Sequence, residues 1–297
     1  MTFTTTEILE RFQIRKSKKQ KTAFIDWLRP RAEQWGYPMT IEKGSGARNI
    51  VFGDVEQAKV VFTAHYDTCA VLPFPNFITP KSIPIYVLYQ LVLMAAIIAF
   101  VLALSFLAGM IHRALILPGY YVGLLALILG PANRHTANDN TSGVAAVLEL
   151  MENLPEELRD KAAFVLFDLE EAGLFGSSAF AKKHKKAMQD KLLVNLDCVS
   201  DGETVLFCFR KKAKQDVELF RRCFPAEDAV ETDFVTKGYV YPSDQINFPR
   251  GVGVAALNRT RRGMLYMDKI HTPRDKVFRE ENIAFLVKGC TRLIGEL

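Results

Sequence analysis

Apolar residues fall along this chain in two rhythms, one at helical spacing and one in short, nearly continuous runs. Phe24, Leu28, Ala32 and Trp35 recur at helical intervals and stop at Gly36-Tyr37-Pro38. This predicts a helix over 24–35, with Pro30 marking a kink or a later start. Short strands are expected at 39–41 and 49–52. A stronger one is expected at 59–64 (KVVFTA), rich in β-branched residues and ending against His65. Ser142-Gly143 opens a helix that carries Val144, Val147, Leu148, Met151 and Leu154 on one face. Residues 162–169 (AAFVLFDL) and 192–196 read as strands buried on both faces, 174–186 as a helix and 252–257 as a further strand. A closing helix over 280–297 presents Ile283, Leu286, Val287, Cys290, Leu293 and Ile294. Strands alternating with helices predict an α/β fold, a three-layer α/β/α sandwich with a mostly parallel central sheet.

Two longer runs break this rhythm. Residues 82–112 contain no Asp, Glu, Lys or Arg, and neither do residues 114–133. The core of the first exceeds the roughly 20 apolar residues that span a bilayer, and the second just meets that length with Pro118-Gly119 as a kink. The pattern predicts a two-helix hydrophobic hairpin over 72–130, in contact with lipid through 83–130. A buried or lid-like helical pair is the competing reading. Residues 1–71 and 131–297 then form one discontinuous domain.

Composition narrows the setting. Residues 1–21 are polar and then basic, with no apolar signal core, so the hairpin is the membrane-directed element. Two spans return the chain to its starting side, and both flanking halves are expected in the cytoplasm. Lys81 and Arg134 on the domain side, against Arg113 in the tip, agree with that orientation. The five cysteines are odd in number and include no C-x-x-C pair, as in a reducing compartment. A net charge of +5 is mild, and no aromatic-interleaved basic stripe accompanies it, so nucleic acid is not expected as a partner. The lysine clusters at 182–186 and 211–212 read as solvated faces, with anionic lipid as an alternative contact.

The chemistry-bearing residues sit where strands end. His65-Tyr-Asp67 follows one strand, Glu170-Glu171 another and Asp197 a third, while Asp139 precedes a helix start and His271 lies in a late loop. In open α/β sheets ligands bind at the carboxyl ends of the strands, so these residues should gather on one rim. Taken singly, each has a bland reading: Asp139 as a helix N-cap, His65 as a strand-end donor, Glu170-Glu171 as a solvated turn. Taken together, two imidazoles and three carboxylates suit a pair of zinc ions with one shared ligand, which leaves three protein ligands to each metal and an open position for water.

The chain resembles the M28 family of co-catalytic zinc aminopeptidases. The resemblance rests on HYD at 65–67, NDNTSG at 138–143, FDLEEAGLFGS at 167–177, NLD at 195–197, SDQ at 243–245 and HTPRDK at 271–276. It implies that Asp139 bridges two zinc ions, that Glu171 and His271 complete one site, and that His65 and Asp197 complete the other. Glu170 would act as general base on a metal-bridging hydroxide, and Asp67 would orient the His65 imidazole. Peptides with a free N-terminus are the implied substrates.

Two departures stand out. Gln245 occupies a position where family members often carry His, and the hairpin replaces a stretch that is usually a soluble loop. Tyr239 and Tyr241 are equal choices for the tyrosine that steadies the tetrahedral intermediate. Two other functions compete with an aminopeptidase: a single-zinc glutaminyl cyclase on the same scaffold, and a catalytically silent membrane scaffold. The hairpin leaves after His65 and returns just before Asp139, and Pro131 holds Asp139 within roughly 30 Å of the bilayer. The mouth of the site is therefore expected to face the membrane or to be roofed by the hairpin base, with apolar peptides as substrates.

Overall fold

The computed structural model describes residues 2–72 and 76–297, so Met1 and residues 73–75 of the expected 72–130 insertion lie outside the described residues. In chain order the elements are α1 (Phe3–Arg11), α2 (Lys18–Gln34), β1 (Met39–Gly44), β2 (Ala47–Phe52), β3 (Val60–His65), α3 (Ile83–Ile111) and α4 (Ile116–Leu129). Next come α5 (Gly143–Asn153), β4 (Ala162–Phe167), α6 (Phe175–Lys183), β5 (Leu192–Leu196), β6 (Thr204–Phe209) and α7 (Val217–Cys223). The chain closes with β7 (Glu231–Val235), β8 (Gly251–Arg259), β9 (Leu265–Tyr266) and α8 (Glu280–Glu296).

The sheet runs β1-β2-β4-β3-β5-β8-β6-β7, with β9 paired to β8. Its centre, β4, β3, β5 and β8, is parallel. The β1–β2 and β2–β4 pairs on one side and β8–β6 on the other are antiparallel. Alternation along β3 explains the layers. Val60, Phe62 and Ala64 enter one core with Phe24 and Leu28 of α2, Leu148 of α5 and Leu286 of α8. Val61 points to the opposite face, where Phe180 of α6, Met188 and Phe248 cover it. The α/β sandwich expected from the pattern is the observed fold.

Several elements differ in detail from the pattern. The second helix begins at Lys18 rather than at 24, because Ser17 and Gln20 form a capping box, and it continues through Pro30. The pattern does not predict α1, β6, α7, β7 or β9. The side chain of Thr2 caps α1 by accepting from the amide of Thr5.

The hairpin is asymmetric. Helix α3 runs 29 residues, about 43 Å at 1.5 Å per residue, and only Val101 and Ser105 on it are buried. It is long and apolar enough to cross a membrane. Helix α4 has 14 residues, shorter than the apolar run suggested, because the chain turns through Arg113–Leu115 before it starts and leaves the helix at Gly130-Pro131. Pro118 lies in the first turn of α4, where a missing amide leaves no bond unmade. The two helices pack through small residues, with Gly119 against Ala108 and Ser105, and Gly123 against Val101. The Ser105 hydroxyl donates to the Ile116 carbonyl at 2.6 Å.

Candidate metal centre

Three parallel strands end on one rim and deliver three of the expected groups: His65 closes β3, Glu170-Glu171 follow β4, and Asp197 follows β5. Asp139 arrives from the turn before α5, and His271 from the loop after β9. The turn is stitched to the end of β5 by its own side chains. Asn138 Oδ1 accepts from the amides of Ser200 and Asp201, and Asn140 Oδ1 accepts from those of Gly143 and Cys198. Gly143 is required there, since a Cβ would stand 2.1 Å from the Leu196 carbonyl oxygen.

All five expected donors meet, in two overlapping groups. His65 Nε2 lies 3.3 Å from Asp139 Oδ1 and 3.5 Å from Asp197 Oδ1. His271 Nε2 lies 2.8 Å from Asp139 Oδ2 and 3.2 Å from Glu171 Oε2. Asp139 thus turns one oxygen to each group. Asp197 Oδ1 and Glu171 Oε1 are buried and receive no hydrogen bond among the described residues. Burying several carboxylates together is costly unless cations compensate them, so this donor set fits divalent metal with N/O preference. Cys69 stands beside Glu171 and His271 as a further donor. Burial, reinforced by Glu171 and Asp139, pushes its thiol above the ordinary range.

Electrostatics follow from this crowding. Burial opposes charge on His65 and His271, yet the surrounding carboxylates hold both imidazoles well above their usual range. Burial works against ionisation of Asp139 as well, and the two histidines reverse it and pull its carboxyl down. Burial, with Asp244, Asp197 and Glu171 nearby, holds the Glu170 carboxyl well above the usual carboxylate range.

The supporting groups are specific. Asp67 accepts from the amides of Glu170 at 3.0 Å and Glu171 at 3.3 Å. His65 Nδ1 lies 3.0 Å from the main-chain carbonyl of Asp67 and 3.7 Å from its carboxylate, so the carbonyl is the nearer acceptor. The Asp275 carboxylate accepts from the amides of Asn138 at 2.7 Å and Asp139 at 3.0 Å. Leu169, Cys198 and His271 adopt left-handed backbone with φ of 58°, 57° and 59°, each at or beside an expected site residue.

Asp244 and Asp275, which lie in the SDQ and HTPRDK motifs with no role expected of them, join the site, and so does Arg15, which lies in no motif. Arg15 is fully buried behind the centre and donates to the carbonyls of Tyr66 and Phe12. Nothing in its local sequence marks it, since IRKSKK reads as an exposed basic stretch. Tyr241 donates to the carbonyl of Asp197 at 2.9 Å and Tyr239 to that of Phe209 at 2.8 Å. Tyr241 is therefore the tyrosine adjoining the centre. Gln245 braces the main chain of Tyr241, and its side chain fills the space a Cβ on Gly253 would need.

A family model described as Peptidase family M28 matches residues 107–286, more than half of the chain and inclusive of Asp139, Glu170, Glu171, Asp197 and His271. The chain belongs to this family. Comparison with curated protein sequences finds no match. Among solved structures, the chain is similar to the LapA aminopeptidase of Legionella pneumophila, at 15% identity and TM-score 0.60, over 99% of this chain and 68% of that one. It is similar to a glutaminyl cyclase of Porphyromonas gingivalis, at 14% identity and TM-score 0.61, over 98% and 96% of the two chains. A leucine aminopeptidase precursor from Bacteroides thetaiotaomicron aligns at 12% identity and TM-score 0.56, over 98% and 93%. At these identities the likeness establishes the fold, and the M28 scaffold is common to peptidase and cyclase alike.

A cleft of about 480 Å³ opens beside the centre. Asp67, Cys69, Ala70, Leu72, Glu171 and His271 line it, so one wall belongs to the site and another to the root of the hairpin. Its size is that of a small-molecule or side-chain pocket.

Proposed function

We propose that the chain is a membrane-tethered zinc aminopeptidase that hydrolyses the first peptide bond of a polypeptide. Residues 1–71 and 131–297 form its catalytic domain on the cytoplasmic side, and residues 72–130 form its membrane hairpin. The observation that carries the reading is the split of Asp139, one oxygen toward His65 and Asp197 and the other toward His271 and Glu171. His65, Asp139 and Asp197 would hold one zinc, and His271, Asp139 and Glu171 the second. Zinc bound there supplies Lewis-acid activation of water and of the scissile carbonyl.

The chain's own groups then have definite tasks. The Glu170 carboxylate takes a proton from the attacking water and returns it to the leaving amine. Burial and neighbouring carboxylates raise its proton affinity, the property a base needs. Asp67 holds the Glu170 and Glu171 amides in place, and Asp275 does the same for the main chain of Asp139. Lys81 and Arg134 at the hairpin base, against Arg113 at its tip, support the cytoplasmic orientation.

A single-zinc glutaminyl cyclase on the same scaffold would need only one of the two donor groups, and the presence of both supports the peptidase. Zinc analysis of the purified chain, joined to a panel of aminoacyl amides and an N-terminal glutaminyl peptide, tests the reading. Two zinc ions per chain and chelator-sensitive release of the first residue are expected. One zinc with pyroglutamyl product overturns it in favour of the cyclase. Bound metal with no turnover of any substrate overturns it in favour of a silent scaffold.

A further inference from the structure

The hairpin meets the catalytic domain at a short two-stranded ribbon. Ala70 pairs with Ala132, the Val71 amide donates to Pro131 at 2.9 Å, and the Asn133 amide donates to Cys69 at 3.1 Å. This ribbon is tied to the loop that carries His271. The Leu72 amide donates to the His271 carbonyl at 3.0 Å, and Asn133 Nδ2 donates to the Thr272 carbonyl at 3.0 Å. Ala70 and Leu72 then line the cleft together with Glu171 and His271. Hairpin root and cleft are one structure.

The hairpin also carries marks of depth. Leu88, Leu91, Val92, Met94, Ile98 and Phe106 of α3 are 51–68% exposed, a surface that only lipid or another apolar body covers. Tyr86 and Tyr89 sit near its base, and Tyr120 and Tyr121 near its tip, where adjoining Gly119 packs on Ser105. From either base tyrosine to Ser105, α3 covers about 24–28 Å at 1.5 Å per residue, close to the roughly 30 Å hydrocarbon core. Tyrosines prefer the two membrane interfaces. Beyond the tip pair the apolar surface continues through Phe106, Met110, Ile111 and Leu117, each more than half exposed, and ends at the exposed His112 and Arg113, where headgroups and water would meet them. At the base, Tyr89 contacts Phe77 with ring centroids 5.6 Å apart, and Phe77 contacts Tyr266 at 5.8 Å. Tyr266 lies on β9, the last strand before His271.

From this we infer that the substrates are polypeptides anchored in or adsorbed to the bilayer, which present a free N-terminus within a few residues of the membrane surface. The tyrosine pair at the base sets the interface at the level of Phe77 and Tyr266, and the cleft wall formed by Ala70 and Leu72 belongs to the same root. A substrate lying on the bilayer therefore reaches the centre without lifting away from it, and the apolar wall receives an apolar first side chain. The inference rests on the aminopeptidase reading and adds the location and class of its substrates.

A tether-length series on the intact protein in phosphatidylcholine liposomes tests it. Peptides of one sequence beginning with Leu-Ala would carry a C-terminal diacyl anchor behind linkers of about 4, 8 or 20 residues, spanning roughly 15–70 Å when extended. The same peptides without an anchor serve as the soluble set. The shortest anchored peptide is expected to lose its first residue at least about tenfold faster than its soluble counterpart. Protection of the short-tethered peptides with trimming only at the longest linker overturns the inference, because the mouth would then face away from the membrane. Equal rates for the soluble peptide and the short-tethered one also overturn it. Both of those outcomes leave the peptidase reading standing. If no peptide is trimmed, anchored or soluble, the peptidase reading falls and the inference with it.

Discussion

The split of Asp139 between two donor groups makes the roles of adjacent carboxylates separable by experiment. Glu170 and Glu171 are sequence neighbours at the end of β4, yet only Glu171 points an oxygen at His271, 3.2 Å away. Replacing Glu170 should therefore spare metal and remove proton transfer. Glu170→Ala is expected to retain both zinc ions by elemental analysis while kcat falls by about 10²–10⁴-fold. Near-normal turnover would remove Glu170 from the role of base. Asp139→Ala should behave in the opposite way and lose at least one zinc per chain, since both groups share that side chain. Full occupancy in that variant would place the bridge elsewhere. At this scale the motifs already named both residues, because their types and order suit zinc. Arg15 was not legible, since its burial depends on α1 and α2 folding over the ends of β3 and the turn before α5.

Elements are held to the site by a few buried polar contacts as well as by apolar packing. Lys21 of α2 reaches Asp168, the residue after β4, at 2.5 Å, with side chains 8% and 2% exposed. Asp168 also accepts from the amide of Arg48 in β2 at 2.9 Å, so one carboxylate joins helix α2, strand β2 and the strand that ends beside Glu170. Lys21→Ala leaves that carboxylate buried and short of its cation, which costs about 3–5 kcal/mol. A fall in stability of that size is expected by chemical unfolding, and a change under about 1 kcal/mol would show the pair to be dispensable. The strands at 59–64, 162–169 and 192–196 were readable because each is buried on both faces and so nearly free of polar residues. Strand β7 was not, since its burial is partial and its sequence, ETDFV, follows no clear alternation.

For the whole molecule, the decisive feature is an apolar hairpin projecting from an otherwise polar surface. Replacing residues 83–129 with a short polar linker keeps the root ribbon between Ala70 and Ala132 and removes the exposed apolar surface. That variant is expected to remain dispersed without detergent, to leave the carbonate-resistant membrane fraction, and to bind zinc as the intact chain does. Continued membrane retention would mean that the catalytic domain itself holds the bilayer. The lysine clusters at 182–186 and 211–212 are not expected to contribute. They lie at and just past the end of α6 and just past β6, whose ends lie toward the amino ends of β5 and β8, on the side of the sheet opposite the candidate centre.

The sequence by itself determined the α/β class, the apolar hairpin and the set of groups that meet at the candidate centre. Each of these follows from local pattern: strand burial excludes polar residues, residues 82–112 and 114–133 carry no Asp, Glu, Lys or Arg, and imidazole with carboxylate is a donor set that suits zinc. Only the tertiary structure decided how those groups divide. That Asp139 turns its two oxygens to different partners depends on a turn held by Asn138, Asn140 and Asp275, which lie far apart in the chain from the amides or carboxylates they meet. The same holds for Asp67, whose carboxylate serves the Glu170 and Glu171 amides while its carbonyl faces His65. The joining of cleft and hairpin root is likewise a property of the folded chain. Residues 69–72, 131–133 and 271–272 become neighbours only when β3, the turn before α5 and the loop after β9 converge on one rim. Local pattern names the groups, and long-range pairing sets their distances and directions.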